Sequence, residues 1–246
     1  MKEVITIISR KGGTGKTTTA QDVSGGIRSN GGRVLLIDLD AQRNLSMSMN
    51  AKPTGYNITH LLEGTATAAD AVQHTDNGDI ITGSAFLAGA DLALTSDTEL
   101  KKAIEPLLSE YDYIIIDTPA SYGKLTRNAL TASTAVLITS QAASYSAQGL
   151  ADVVGLVNQI QTVNKGLHLK GVIITNYTGR SNHVKHKLEE IKEEARRLGT
   201  EVLEPPIRAT DKVTEAQEAR ANLKDFAPNC TASKCYDEIT EQVLNW

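Results

Sequence analysis

Eight consecutive residues, Lys11-Gly12-Gly13-Thr14-Gly15-Lys16-Thr17-Thr18, carry the densest chemistry in the chain. They follow an apolar run, Val4 to Ile8, and lead into a helix-like segment from Thr17 to Arg28. A glycine-rich turn between a strand and a helix N-terminus is a phosphate cradle. Its backbone N–H groups close on the oxyanions, and the helix dipole adds partial positive charge. Lys16 supplies a point charge for the β- and γ-phosphates, and the Thr17 hydroxyl is placed to ligate Mg²⁺. The strict pattern of Gly, four residues and Gly-Lys-Ser/Thr fails, because Arg10 stands at its first glycine. The variant Lys-Gly-Gly-x-Gly-Lys-Thr fits at every position and adds a second lysine, Lys11. Lys11 is badly placed for its own nucleotide but could reach one bound to a partner chain. The rival reading of Lys11 is a salt-bridged surface lysine.

Three further segments hold side chains suited to the same chemistry. Asp38 and Asp40 close the apolar run Val34–Leu39, and Asp117 closes Tyr113–Asp117. Hydrolysis of a nucleotide needs a metal and a group that orients water in line with the leaving group, and carboxylates do both. Asp117 would hold Mg²⁺ through a water; a buried capping carboxylate is the alternative. Asn176 follows another apolar run and can both donate to and accept from the edge of adenine.

The glycine loop, Val34-Leu35-Leu36-Ile37-Asp38-Leu39-Asp40-Ala41-Gln42-Arg43-Asn44, Tyr113-Ile114-Ile115-Ile116-Asp117-Thr118-Pro119 and Ile173-Ile174-Thr175-Asn176-Tyr177-Thr178-Gly179-Arg180 occur in that order. Together they resemble the deviant Walker A class of P-loop ATPases, and within it the ParA/Soj branch of partition proteins. The resemblance implies ATP and Mg²⁺ as cofactors. It implies catalytic roles for Lys11, Lys16 and Asp40, with Asp40 positioning water. Gly12, Gly13, Thr14, Gly15, Lys16, Thr17 and Thr18 would bind the nucleotide, with Asn176 reading adenine and Pro206 and Ile207 packing on the base. Thr17, Asp38 and Asp117 would form the metal region. Lys11 would act in trans, so that ATP closes a sandwich homodimer and hydrolysis depends on it. Ala41 and Arg43 replace the usual proline and glycine of the second segment. Gln217 stands where the branch usually has proline, and the last thirty or so residues match poorly.

The elements that position these groups follow from hydrophobic pattern. Short β-branched runs at Val4–Ile8, Val34–Leu39, Tyr113–Asp117, Ala135–Thr139 and Gly171–Asn176 predict buried parallel strands, with Asp79–Thr82 as a further short one. Helical spacing in Gly149–Val163 and Asn182–Leu198 separates them, Asn57–Ala71 reads as short helices anchored by Leu61 and Leu62, and Thr75–Ala93 reads as irregular. Alternating strands and helices predict an α/β fold, a doubly wound, mostly parallel sheet flanked by helices, with ligands at the carboxyl ends of the strands. All four motifs fall at those ends. No linker interrupts the alternation, so residues 1–246 are expected to form a single ATPase domain without an N-terminal helix-turn-helix extension.

Composition restricts the partners. The chain has 246 residues, 40% apolar, 22% charged and 4% aromatic, with a net charge of −4 and two cysteines, Cys230 and Cys235. Two thiols offer too few ligands for zinc or an iron–sulfur centre. A charge of −4 does not advertise nucleic-acid binding, yet a local basic patch can act within an acidic chain. The resemblance implies nonspecific DNA as a partner, for which Arg196, Arg197, Arg220, Lys224 and Lys234 are candidates. On the helix that carries Arg196, lysines interleave with Glu189, Glu190, Glu193 and Glu194, as on an ordinary solvated face. Residues Tyr236–Trp246 have an apolar stripe, but acidic groups opposite it predict a helix docked on the core rather than on a membrane. No signal peptide or spanning segment is visible, and a cytoplasmic, nucleoid-associated protein of a bacterium or plasmid is expected. A centromere-bound, ParB-like protein is the implied stimulating partner. The competing expectation is a MinD-like or orphan ParA-type ATPase that positions a protein cargo.

Overall fold

The computed structural model describes residues 3–89 and 94–246. Among them one sheet runs in the order β3-β4-β2-β5-β1-β6-β7-β8. The strands are β1 (Glu3–Ile8), β2 (Val34–Asp38), β3 (Val72–Thr75), β4 (Gly78–Ile81), β5 (Tyr113–Asp117), β6 (Ala135–Gln141), β7 (His168–Thr175) and β8 (Val202–Leu203). Every pairing is parallel except β3 with β4, a hairpin whose Gly78 turns at φ 117°. The predicted doubly wound sheet is therefore present. The edge strands β3 and β8 were not legible, β3 because it is short and mostly polar and β8 because it spans only two residues. Within the segment Thr75–Ala93, the expected short strand Asp79–Thr82 is present as β4; residues 90–93 lie outside the described residues.

The central strands are apolar on both faces because both faces are covered. Side chains alternate across the sheet, so Ile5, Ile7, Leu36, Ile115, Leu137 and Ile173 enter one core. On that side lie α1 (Lys16–Ser29), α2 (Asn44–Ser48), α9 (Lys212–Glu218), α10 (Leu223–Phe226) and α11 (Thr231–Leu244). The opposite-facing residues of the same strands, Val4, Ile8, Leu35, Ile37, Val136 and Val172, enter two further clusters. Those are covered by α3 (Ile58–Leu62), α4 (Ala68–Ala71), α5 (Glu99–Ile104), α6 (Lys124–Ala132), α7 (Ala147–Gln161) and α8 (Asn182–Arg197). Each fully buried Ile or Leu contributes about 1.5–3 kcal/mol relative to exposure.

Two features of α1 set the position of its first turn. Gly31, at φ 82°, ends the helix by donating its N–H to Arg28 O at 2.9 Å. Gly25 and Gly26 let α10 and α11 approach closely: a Cβ on Gly26 would lie 2.5 Å from Thr240 Oγ1, and one on Gly25 would lie 3.0 Å from Asn222 Cγ. The C-terminal helix α11 buries Ala232, Tyr236, Ile239 and Val243 against this face, as its sequence predicts. Parallel pairing sets Asp38 beside Asp117 and Ile7 beside Asp117 at the carboxyl ends. The glycine loop leaves β1 at that same end.

Candidate nucleotide site

The loop between β1 and α1 is shaped by two left-handed glycines, Gly13 at φ 71° and Gly15 at φ 82°. Gly15 is the N-cap of α1 and supplies no capping side chain, so the first-turn N–H groups lack the usual protein partner. The loop carbonyls are held elsewhere. Gln141 Nε2 donates to Gly13 O at 2.7 Å, and Thr175 Oγ1 donates to Thr14 O at 2.7 Å. Thr14 Oγ1 also pairs with Thr139 Oγ1 at 3.0 Å. The acceptors are thus tied to β6 and β7, which leaves the donors for an anion. Gln141, Thr139 and Thr175 were missed by sequence reading, because their contacts span more than a hundred residues and have no local signature.

An open cavity of about 1000 Å³ lies over this loop. Gly12, Gly13, Gly15, Lys16, Thr17 and Thr18 line one wall, and Asp40, Gln42, Asn44, Met47 and Ser48 line another. Asn176, Ile207, Val213, Thr214, Gln217 and Arg220 close the third. Backbone strain collects around it. The non-glycine residues with left-handed φ among those described are Arg43, Asn50, Asn176 and Arg220, at 60°, 54°, 52° and 53°. Asn176 and Arg220 line the cavity, while Arg43 and Asn50 flank α2, which lines it too. Such conformations cost about 1–3 kcal/mol each and persist where surrounding structure enforces them.

Lys16 is 8% exposed and its ammonium makes no hydrogen bond among the described residues. Thr17 Oγ1 donates to Asp117 Oδ2 at 2.6 Å, while Asp117 Oδ1 is buried with no partner. Burial pushes the Asp117 carboxyl up to about 7, the nearby Asp38 carboxylate adds to this, and Thr17 and Lys16 oppose it. An orphaned buried carboxylate oxygen beside a hydroxyl is a hard-oxygen donor set. It fits Mg²⁺, which takes one or two carboxylates and completes its shell with phosphate and water. Among the described residues no group of three or more His, Cys, Asp or Glu forms a self-sufficient metal cage.

Asp38 pairs with Asp117 across β2 and β5, in the region that the sequence assigns to the metal. It is fully buried, and both of its oxygens are committed within the protein. Asp40 N donates to Oδ1 at 3.0 Å; Ser46 N and Ser46 Oγ donate to Oδ2 at 2.9 and 2.7 Å. Gly83 packs against it, where a Cβ would fall 2.9 Å from Asp38 Cγ. Burial raises the Asp38 pKa and these hydrogen bonds lower it. Asp38 therefore braces the loop that carries Asp40. Asp40 is half-buried, lines the cavity, and accepts from Gln42 N at 3.0 Å.

Lys11 lies outside the main cavity. It is exposed, and Nζ donates to Ser144 O at 2.7 Å, in the turn after β6. Arg10 beside it pairs with Asp152 of α7 and sits over the Tyr122 ring at 5.5 Å. On the base side, Tyr177 N donates to Ile207 O at 2.9 Å and Ala209 N to Tyr177 O at 3.1 Å. These bonds bring Asn176 and Ile207 to one wall. Pro206 and Ile207 are both buried, and of the two Ile207 lines the cavity.

The basic residues expected to meet DNA do not form one patch. Arg196 and Arg197 end α8 on one side of the sheet; Lys224 and Lys234 lie on α10 and α11 on the other. Arg197 is bound by Glu194 at 2.6 and 2.8 Å, and Lys224 pairs with Asp237 at 2.5 Å. Arg220 lines the nucleotide cavity and donates to Asn50 Oδ1 at 3.0 Å. Arg196 and Lys234 are exposed.

A family model described as an AAA domain matches residues 2–169. The chain is similar to the sporulation initiation inhibitor protein Soj of Bacillus subtilis, at 32% identity over 252 residues, covering 99% of this chain and 98% of that one. Among solved structures it is similar to a putative plasmid partition protein from Borrelia burgdorferi bound to AMPPNP. That match has a TM-score of 0.85 and 26% identity, over 100% of this chain and 99% of that one. Cobyrinic acid a,c-diamide synthase from Mycobacterium smegmatis with bound ADP and magnesium also has a TM-score of 0.85, with 28% identity over 100% of this chain and 95% of that one. With the phosphate loop, the paired strand-end carboxylates and the signature lysine in place, the chain belongs to the ParA/Soj-type, deviant Walker A family of P-loop ATPases.

Proposed function

We propose that this chain is a Mg²⁺-dependent ATPase that acts in plasmid or chromosome partition. The observation that carries the ATPase reading is the loop whose carbonyls are tied back while its residues, Lys16 and Thr17 among them, line one cavity, with Asp117 buried directly behind Thr17. The loop amides and Lys16 hold the phosphates, and Asn176 with Ile207 holds adenine. Thr17 and Asp117 hold Mg²⁺, which neutralises phosphate charge when bound. Asp40 orients the attacking water, on a loop braced by Asp38 and Ser46. Catalysis of phosphoryl transfer is mostly positioning and electrostatic stabilisation, which suits this set of groups.

In this reading ATP closes a homodimer. Lys11 leaves Ser144 O and reaches the partner chain's phosphates, where it stabilises transition-state charge. The dimer binds DNA without sequence preference, and a ParB-like protein stimulates hydrolysis and release. The similarity to Soj and to a plasmid partition protein supports this assignment. A second reading has specific support: the separation of the basic candidates and the ion pairs on Arg197 and Lys224 favour a protein cargo over DNA.

One experiment separates them. Retardation of a nonspecific duplex is measured with ATP, ADP or no nucleotide over a salt series, for wild type and Lys11→Ala. Partition predicts ATP-dependent binding that weakens with salt and is lost in the variant. ATP-dependent dimerisation with no DNA binding at low salt sinks the DNA reading and leaves the cargo ATPase.

A further inference from the structure

Helix α9 presents Val213, Thr214 and Gln217 to the cavity while Ala216 enters the core. Of these, Gln217 touches the phosphate-loop helix: its Nε2 donates to Thr18 Oγ1 at 2.7 Å. Thr18 lines the cavity next to Thr17. A threonine inside a helix commonly turns its hydroxyl back to the carbonyl four residues earlier. Here that carbonyl, Thr14 O, accepts from Thr175 Oγ1 instead. Among the described residues the Thr18 hydroxyl accepts from Gln217 and donates to no one. Since a hydroxyl has one proton and two lone pairs, filling a lone pair from outside leaves the proton to be given elsewhere.

We propose that Gln217 is a positioning residue for nucleotide binding: it fixes the Thr18 hydroxyl so that its proton is delivered to a phosphate oxygen in the cavity. This rests on the ATP-binding reading of the loop. It also gives the departure at position 217 a use. Gln217 stands where the branch that the chain resembles usually has proline, which has no side-chain donor. The segment that carries it is held on α1 at a second point, where Leu223 N donates to Asp22 Oδ1 at 2.6 Å. Loss of the Gln217 side chain therefore leaves the segment docked.

The test is titration of the full chain with ADP and steady-state hydrolysis of ATP, both with Mg²⁺. The variants are Gln217→Ala, Gln217→Glu, Thr18→Val, Thr18→Ser and the double variant Gln217→Ala/Thr18→Val. One hydrogen bond of this kind is worth about threefold to tenfold in affinity. Gln217→Ala and Thr18→Val are each expected to weaken ADP and raise the KM for ATP by about that factor, with kcat changed less than twofold. The double variant is expected to be no weaker than Thr18→Val, and Thr18→Ser, which keeps the hydroxyl, to match wild type. Gln217→Glu can only accept, so it would draw the Thr18 proton away and bind more weakly than Gln217→Ala. Wild-type affinity in Gln217→Ala or Gln217→Glu overturns the proposal, as do losses that add in the double variant. If wild type itself binds neither nucleotide, the ATP-binding reading falls first and takes the proposal with it.

Discussion

Arg43 shows what a side chain costs at a left-handed backbone position. It occupies the position where the resembling family usually has glycine, and its backbone sits at φ 60°. An L-residue pays about 1–2 kcal/mol there, which glycine avoids. Its Nε is buried with no hydrogen-bond partner. In urea unfolding, Arg43→Gly is expected to be more stable than Arg43→Ala by about 1 kcal/mol, although glycine is the more flexible residue when unfolded. The reverse order would mean that the loop does not hold this conformation. Asp22 is a second informative residue. It is buried in α1, accepts from Leu223 N, and burial raises its pKa to about 7, with Asp225 and Asp237 adding to the rise. Its folded pKa lies above the ordinary aspartate value of 3.8, so between 3.8 and about 7 the folded state holds the extra proton. Stability from this group is therefore full at acidic pH and is lost as pH rises toward about 7. Denaturant unfolding of Asp22→Asn should lose that slope and exceed wild type at pH 8; an unchanged slope would clear Asp22 of the role.

At the level of elements, the contact between α1 and α11 reverses a propensity rule. Alanine in a helix interior is favoured over glycine by about 1 kcal/mol. At position 26 the added methyl would lie 2.5 Å from Thr240 Oγ1 and 2.9 Å from Thr240 Cγ2. Thr240 is buried and donates to Tyr236 O at 2.8 Å, so it has little room to yield. Gly26→Ala should therefore destabilise the chain by about 1–3 kcal/mol. A rise in Tm would show that α11 sits further from α1. The same contact bears on function. Tyr236 of α11 pairs with Thr19 of α1 at 3.1 Å, so the first turn that would hold phosphates is braced by the C-terminal helix.

For the whole molecule, the site joins three parts of the fold: the loop after β1, the segment after β2, and the segments after β7 and β8 together with α9. A nucleotide that touches all three should stabilise the folded state through mass action, by about 2.7 kcal/mol at a hundredfold excess over Kd. Thermal unfolding with Mg²⁺ and ATP should show this rise in wild type. Lys16→Ala should lose it if, as proposed, its buried ammonium is the charge that meets the phosphates, while Lys11→Ala should retain it at protein concentrations where the chain is a monomer. An equal loss in Lys11→Ala would place that lysine in its own chain's site. The phosphate loop, the strand-end aspartates and the parallel sheet were legible in the sequence, because each depends on neighbours within a few residues: glycine spacing, a β-branched run, the turn that follows. The remainder depended on contacts across the chain. Asp38 and Asp117 end similar strands, yet one braces a loop and the other keeps a free oxygen, because Ser46 lies beside only the first. Gln141 and Thr175 strip the loop of its acceptors, and the basic residues fall on opposite sides of the sheet. Local backbone preference is written in adjacent residues, whereas a side chain's partner is decided by which strands and helices the fold sets beside it.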